Sequence, residues 1–198
     1  MKVRLLARRS LLALPAIMAA AGRGGAIAAG GAADLNLDYR EGWLSWQGGR
    51  VCAAAGRAGV VAAKHEGDGA TPAGRFPLVR AFYRADRLAA PATRLPLRAL
   101  RPTDAWVDDP ADRNYNRLVA LPYPAHSEAL WLEDAVYDLI VVIGYNFAPV
   151  VPGAGSAIFL HVARPDFSPT AGCVAIDKAA LVALMPLLGP LSTITISA

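Results

Sequence analysis

Two cysteines and three histidines are the side chains of this 198-residue sequence that could serve as nucleophiles, bases or metal ligands: Cys52, Cys173, His65, His126 and His161. His65 lies in a charged, glycine-rich segment and His126 follows a Pro-Tyr-Pro-Ala run, and neither has a second ligand at a spacing typical of metal sites. We expect both to be solvated loop residues. Cys52 stands among apolar neighbours in a predicted strand, which favours a buried structural thiol.

His161 and Cys173 are the pair that could carry out nucleophilic catalysis. His161 is predicted to close a strand, and Cys173 follows a turn-like segment, residues 165–172, that contains two prolines and a glycine. This order can bring an imidazole within hydrogen-bond reach of a thiol, whose thiolate form is the attacking species. Gly172 would let its own N–H and that of Cys173 face a developing oxyanion. The spacing alone also allows a purely structural pair.

The elements that must position this pair indicate a mainly β domain with one C-terminal helix. Apolar runs and alternation predict strands, and Gly48-Gly49 predicts a hairpin between the first two. The strands are expected at residues 43–47, 50–55, 76–82, 139–143, 157–162 and 193–197. A helix is expected to begin after Asp177 as N-cap and to end at Pro186. Residues 84–101, rich in Arg, Pro and Ala, are expected to form a surface loop.

Composition limits the classes of protein to which the chain can belong. Hydrophobic residues make up 55% of the sequence, which is enough for a core, and the length suits one domain. Two cysteines cannot form a disulfide-dense scaffold or a four-cysteine zinc site. The longest apolar run, residues 11–21, is shorter than a membrane span of roughly 20 residues and contains a proline. No transmembrane span is therefore expected in the mature chain.

The net charge of +4 has its origin in the N-terminal segment. The first 33 residues contain five Lys and Arg and no acid, whereas the rest contains 15 Lys and Arg against 16 Asp and Glu. A near-neutral domain lacks the basic surface that nucleic-acid binding requires, so no nucleic-acid partner is expected. The sequence leaves the oligomeric state open.

Residues 1–28 have the three parts of an export signal: a basic start, an apolar centre and small residues up to Ala28. Cleavage is expected after Ala28, with Ala33 as the alternative site. Arg8-Arg9 resembles a twin-arginine signal, and an ordinary secretory signal is the alternative. The chain is therefore expected to be exported to the periplasm or cell envelope.

Four ordered segments resemble a known family. Thr170–Ala175, which contains the Gly-Cys pair, resembles the active-site motif of YkuD-type L,D-transpeptidases. Glu66–Phe76 resembles the glycine-rich Thr-Pro-x-Gly-x-Phe signature of that family. Trp106–Asn116 and Tyr137–Asn146 resemble a compact bacterial subgroup of it. Together the four segments extend over nearly the whole mature chain.

The resemblance implies an L,D-transpeptidase-like β-sandwich and a cysteine acyl transfer on peptidoglycan stem peptides, in cell-wall cross-linking or remodelling. By analogy, Cys173 would attack the carbonyl between an L-centre and a D-centre, D-Ala would leave, and an amine would resolve the thioester. His161 would take up the thiol proton and return it to the leaving amine. No metal or organic cofactor is required. The implied regions are the export signal 1–28, an N-terminal strand or linker region 29–49, and the catalytic domain 50–198.

The sequence departs from the family motif at two positions. The family has a second His before the Gly-Cys pair and an Arg or Asn two residues after the Cys, where this chain has Ala171 and Ala175. A polar substrate contact is thereby lost. Arg164 is a candidate cation for a stem-peptide carboxylate, with a solvated loop Arg as the alternative. Thr170 is a further candidate substrate-binding residue.

Three functions stay open at this point. The first is the transpeptidase. The second is an L,D-carboxypeptidase or amidase, in which water resolves the same thioester. The third is a catalytically silent wall-binding domain in which Cys52 and Cys173 form a disulfide, since an exported chain meets oxidising conditions.

Overall fold

Apolar runs and alternating patterns form the strands of this protein, as local sequence predicts. A computed structural model describes residues 34–198. In chain order, the strands of this range are β1 Asn36–Arg40, β2 Trp43–Trp46, β3 Gly49–Ala54, β4 Val60–Val61, β5 Thr71–Pro72, β6 Gly74–Tyr83, β7 Leu97–Ala99, β8 Asp104–Val107, β9 Leu118–Ala120, β10 Ser127–Ala129, β11 Leu139–Ile143, β12 Phe159–Val162, β13 Val174–Ile176 and β14 Thr193–Ser197. A short helix, α1 Lys178–Leu184, is followed by the 3₁₀ turn Met185–Leu187.

The main sheet is closed. Its strand order is β11-β12-β13-β3-β2-β1-β14-β6-β7, and β6 also pairs with β11. The long strand β6 allows this because residues 74–77 pair with β14, whereas residues 78–83 pair with β11. The mainly β class with a C-terminal helix is thus confirmed. The predicted β-sandwich is not confirmed, because the hydrogen bonds join the strands into one closed sheet, whereas a β-sandwich has two separate facing sheets.

One face of the main sheet carries the first hydrophobic core. Leu139, Val141 and Ile143 of β11 belong to it, together with alternate residues of β1, β12, β13 and β14. Helix α1 packs against the same core through Leu181 and Leu184, which are both buried. The helix therefore holds the C-terminal part of the chain against the strands that precede it.

The opposite face of β11 and β12 carries the second hydrophobic core. Because side chains alternate along a strand, Ile140 and Val142 of β11 and Phe159 of β12 point away from the first core. The small sheet β10-β8-β9 covers this face, with Trp106 of β8 packed edge-on against Phe159. Cys173 belongs to the second core. Burial on both faces explains why β11 is a continuous apolar run.

Several predicted elements are confirmed. The strands at residues 139–143 and 193–197 have the predicted bounds. The predicted hairpin joins β2 to β3 in antiparallel pairing, but its turn is Gln47-Gly48, because Gly49 already pairs with Trp46 as the first residue of β3. Helix α1 begins after Asp177, whose side chain accepts a hydrogen bond from the Ala180 N–H. These features depend on residues close together in the sequence.

Two local predictions are wrong in detail. The strand predicted at residues 157–162 begins only at Phe159, because Ala157 has a positive φ of 52° that interrupts an extended strand. Residues 84–101, predicted as a loop, include β7, which pairs in parallel with the end of β6.

The predicted export signal, residues 1–28, and the alternative cleavage site at Ala33 lie outside the described residues. Strands β1 and β2 fall in the region 29–49 and pair within the main sheet. In the part of the chain that the structure describes, no helix has the length and apolarity needed to cross a membrane.

Candidate active site

His161 and Cys173 lie on neighbouring strands and point to the same face of the main sheet. Strands β12 and β13 are parallel, with His161 opposite Ala175. Cys173 directly precedes β13 and is therefore level with Phe159, a residue of the second core. With strands about 4.8 Å apart and about 3.3 Å per residue, this register places the Cα atoms of His161 and Cys173 about 8 Å apart. This register brings the predicted pair to one face of the sheet, but no hydrogen bond joins the Cys173 Sγ to His161 among the described residues, because Sγ is bonded to the Ala157 and Phe159 backbone.

The two side chains line a cavity of about 570 Å³. This volume lies in the range of pockets that hold small ligands or segments of larger ones. Its wall also contains charged residues, among them Lys64, Glu66, Asp108, Glu128 and Arg164. Segments that are far apart in sequence therefore contribute to one site.

Cys173 is a free thiol held by two backbone groups. Its Sγ donates to the Ala157 carbonyl oxygen (3.2 Å) and accepts from the Phe159 N–H (3.3 Å). The residue is 7% exposed. Burial, and next the nearby Glu128 carboxylate, raise the pKa of the thiol to about 12. At neutral pH the resting group is therefore a protonated thiol, which must lose its proton as it reacts.

The turn before Cys173 is fixed by Thr170 and Gly172. The Thr170 hydroxyl donates to the Cys173 carbonyl oxygen (2.6 Å) and accepts from the Gly172 N–H (3.1 Å). Gly172 has a φ of +145°, and a Cβ there would lie 2.8 Å from the Ala70 carbonyl oxygen. Glycine is therefore required at this position. The hydroxyl of Thr170, a predicted substrate contact, is used within the turn itself.

This turn bears on the predicted oxyanion hole. Among the described residues, the Cys173 N–H has no acceptor, so it is available to a substrate oxygen. The Gly172 N–H is already engaged by Thr170. Of the two predicted backbone donors, the structure therefore leaves one without a partner.

His161 is buried, and the backbone orients its ring. Nδ1 lies 2.9 Å from the Val162 carbonyl oxygen. This contact assigns the proton to Nδ1 and leaves Nε2 with the lone pair. Tyr137 packs edge-on against the ring, with centroids 5.3 Å apart. A backbone carbonyl therefore takes the orienting role that a carboxylate has in a Ser-His-Asp triad.

Burial lowers the pKa of His161 to about 4, so the imidazole is neutral at neutral pH and can accept a proton. An electrophilic carbonyl near the Cys173 Sγ could be attacked while the thiol proton passes to Nε2 of His161. Within residues 34–198, no three Cys, His or carboxylate side chains cluster as they would in a metal site. A thiol and a neutral imidazole in one cavity are suited to covalent catalysis by a cysteine.

Glu128 of β10 is a cavity residue that the sequence did not reveal. Its carboxylate accepts a hydrogen bond from the Tyr137 hydroxyl (2.6 Å), and burial raises its pKa. Tyr137 in turn contacts the ring of His161. A single Glu in a short strand forms no motif. The only available signal was that Tyr137 opens one of the four segments that resemble the family.

Lys64 was not predicted either. Its side chain is 3% exposed and its Nζ pairs with Asp68 Oδ1 at 2.7 Å. The segment Glu66–Phe76 marked this part of the chain, but the lysine precedes it. Nothing in the local sequence shows that the ammonium lies beside Gly172.

The remaining polar candidates lie at the edge of the cavity or outside it. Arg164 lines the cavity, but its side chain is 52% exposed and its ion pair with Asp134 is long (3.4 Å). Its role as a substrate cation stays a prediction. His65 is exposed, as predicted. His126 is also exposed, yet it lines the cavity and pairs with Asp108, a partner that is distant in sequence.

The predictions about Cys52 are wrong. Both cysteines are free, and Cys52 is exposed on β3. Strand β3 pairs with β13 so that Ala54 is opposite Ala175, which puts Cys52 four residues, or about 13 Å, along the strand from the level of Cys173. A disulfide needs Cα atoms within about 7 Å. The bridge of the silent wall-binding alternative therefore does not fit this fold.

Residues 33–196 match the family model of YkuD, the L,D-transpeptidase catalytic domain. Neither a curated protein nor a solved structure matches the chain. The matched region extends from before β1 into β14 and includes both Cys173 and His161.

Replacing Gly172 by alanine tests the turn that carries the thiol. The positive φ and the close Ala70 oxygen should together lower the free energy of unfolding by about 2–4 kcal/mol. The matched control is Gly153→Ala, since Gly153 also has a positive φ (+76°) but has open space where the Cβ would lie. We expect a loss of about 1 kcal/mol there. Urea denaturation measures the free energy of unfolding of both variants. Equal losses of stability would contradict the role of the Ala70 contact.

The pH dependence of alkylation tests the protonation state of Cys173. Because burial raises the pKa of the thiol to about 12, the thiolate fraction should grow about tenfold per pH unit between pH 6 and 9. In a Cys52→Ser variant, the rate of modification by iodoacetamide should rise by the same factor. The rate is followed by intact mass. A level rate between pH 6 and 8 would instead show a thiolate already paired with protonated His161.

Proposed function

Because this chain belongs to the YkuD family of L,D-transpeptidase catalytic domains, which act on peptidoglycan, we propose that it is a transpeptidase with Cys173 as nucleophile and His161 as base. One observation carries the assignment of these two residues. They line the same cavity from adjacent parallel strands, and the Val162 carbonyl leaves Nε2 of His161 free to accept a proton.

In the proposed reaction, the Cys173 Sγ attacks the carbonyl that joins an L-centre to a D-centre of a stem peptide. A carbon–sulfur bond forms, the carbonyl π pair moves to the oxygen, and the thiol proton passes to Nε2 of His161. When the intermediate collapses, the carbon–nitrogen bond breaks. The imidazolium returns its proton to the leaving amine of D-Ala, and a thioester on Cys173 remains.

An amine acceptor then resolves the thioester. The amine of a second stem peptide, or of an envelope lipoprotein, forms the new amide bond while the thiol is regenerated. The carboxylates of Glu66 and Glu128 line the same cavity. An ammonium group could pair with either of them, while the cations of the same wall, Arg57, Lys64 and Arg164, could pair with stem-peptide carboxylates. Water in place of the amine would give an L,D-carboxypeptidase or amidase.

The chain is proposed to act in the periplasm or cell envelope, where peptidoglycan lies. The basic, apolar and small-residue parts of residues 1–28 support export. A reporter enzyme that is active only outside the cytoplasm, fused after residue 33, should be active. Its activity should disappear when Leu11 and Leu12 are both replaced by arginine, and an inactive parent fusion would contradict export.

Acylation by a carbapenem-type β-lactam tests the assignment of nucleophile and base. We expect one covalent adduct in the intact mass of the protein, retained in the matched Cys52→Ser control and lost in Cys173→Ser. In His161→Ala, acylation should slow by about 10²–10⁴-fold, because the thiol proton loses its acceptor. An adduct on Cys52, or an unchanged rate in His161→Ala, would contradict the assignment.

Product analysis separates the transferase from the hydrolase. Incubation with a purified tetrapeptide stem and an acceptor amine should give the new amide together with free D-Ala. If only the hydrolysed tripeptide forms while the acceptor is in excess, the hydrolase assignment replaces the transferase.

A further inference from the structure

Lys64 is a buried cation beside the turn that carries the nucleophile. Its side chain is 3% exposed, although lysine is almost never fully buried without a partner. Nζ donates to Asp68 Oδ1 (2.7 Å) and to the His65 carbonyl oxygen (3.3 Å). These contacts use two of the three N–H groups. The third has no acceptor among residues 34–198, and Lys64 lines the cavity.

Gly155 makes room for this side chain, and Gly172 lies beside its ammonium group. A Cβ on Gly155 would lie 2.8 Å from the Lys64 Cε, and a Cβ on Gly172 would lie 3.6 Å from Nζ. The ammonium therefore sits against the backbone of the residue that precedes Cys173. Its charge also acts on the thiol, where it opposes the burial that raises the pKa of Cys173.

The ammonium is held in place by a fixed carboxylate. Asp68 accepts hydrogen bonds from the His65 N–H and the Ala70 N–H, both at 2.8 Å, as well as from Lys64. A donor that is positioned before the substrate arrives needs no reorganisation during the reaction. Lys64 meets this condition.

The site has fewer free hydrogen-bond donors than an oxyanion hole needs. A tetrahedral intermediate on Cys173 carries a negative oxygen, which oxyanion holes usually stabilise with two or more donors. The Cys173 N–H is available, but the Gly172 N–H is engaged by Thr170. Ala171 and Ala175 on either side of the nucleophile offer no polar side chain.

We propose that the Lys64 ammonium is the second donor of the oxyanion hole, and that its third N–H faces the oxygen of the tetrahedral intermediate formed on Cys173. This assignment rests on the proposed acyl transfer. No proton moves to or from Lys64 in this step, since the thiol proton passes to His161 and the carbonyl π pair stays on the oxygen until collapse. A charged donor forms a stronger hydrogen bond than a neutral N–H, most of all in a buried cavity.

A purely structural role makes a different prediction. If Lys64 only pairs with Asp68 to hold its loop, its loss would displace the turn at Gly172 and slow every reaction of Cys173 alike. An oxyanion donor matters only where an oxyanion forms. Acylation by a β-lactam passes through a tetrahedral oxyanion, whereas alkylation by iodoacetamide is a direct displacement at carbon and forms none.

The experiment compares these two reactions in Lys64→Met, in a Cys52→Ser background, with intact mass as the readout. Carbapenem acylation should slow by about 10²-fold or more, the usual effect of removing one oxyanion donor. Iodoacetamide alkylation should slow by less than about tenfold, through the loss of the nearby charge. A fall in acylation without a matching fall in alkylation is the expected result.

The matched control is Lys178→Met. Lys178 of α1 forms an ion pair of the same length, 2.7 Å, with the buried Asp138, and it does not line the cavity. Both rates should be unchanged in this variant. Asp68→Asn removes the carboxylate but keeps the lysine side chain and an amide oxygen that can accept from its Nζ, so acylation should fall by less than in Lys64→Met. If Lys64→Met does not fold, Lys64→Gln, which can still donate to Asp68, takes its place.

Three outcomes would overturn the proposal. Equal slowing of acylation and alkylation would assign a structural role to Lys64. If Lys64→Met is acylated at a rate within threefold of the parent, Lys64 has no role in the reaction. Cys173 is still acylated in that case, so the proposed function stands. If the parent protein forms no Cys173 adduct at all, the proposed function fails and the oxyanion role fails with it.

Discussion

The parallel pairing of β12 with β13 is the constraint on which the site depends. Because β11 and β12 are buried on both faces, each side chain there points either to the first core or to the second. His161 shares its face with Phe159, and Cys173 lies level with Phe159 on the next strand. A register shift of one residue would turn one of the pair towards the first core. The packing that sets the register therefore also sets the geometry of the site.

Burial also determines the resting charge of Cys173 and His161. It raises the pKa of Cys173 and lowers that of His161, so both groups are neutral at rest. Attack on a carbonyl separates charge, which creates an imidazolium and an oxyanion in a poorly solvated cavity. Such a site needs fixed charges that stabilise the reacting state rather than the resting one. In the proposed reaction, the Lys64 ammonium, which Asp68 holds at the wall of the same cavity, is a fixed charge of this kind.

Cys173 and His161 could be selected as the proposed nucleophile and base from residue type, order and motif, whereas their surroundings could not be predicted. Lys64 lies in the loop between β4 and β5 and Glu128 in β10 of the small sheet, so only tertiary packing brings these distant segments to one cavity. For Cys52, a prediction was made from the sequence, and it was wrong. Its apolar neighbours predicted burial, but the alternation along β3 turns its side chain to solvent. Local composition does not determine which face of a strand is covered.

By itself, the sequence determined the mainly β class, the hairpin between β2 and β3, the N-cap at Asp177 and the choice of Cys173 and His161 as the candidate pair. Each of these depends on residues that are neighbours along the chain or on the chemistry of a single side chain. Only the tertiary structure decided that the pair is neutral, that the Val162 carbonyl orients the imidazole, and which charges face the thiol. Burial and through-space distance control these properties, and both exist only once distant segments are packed together.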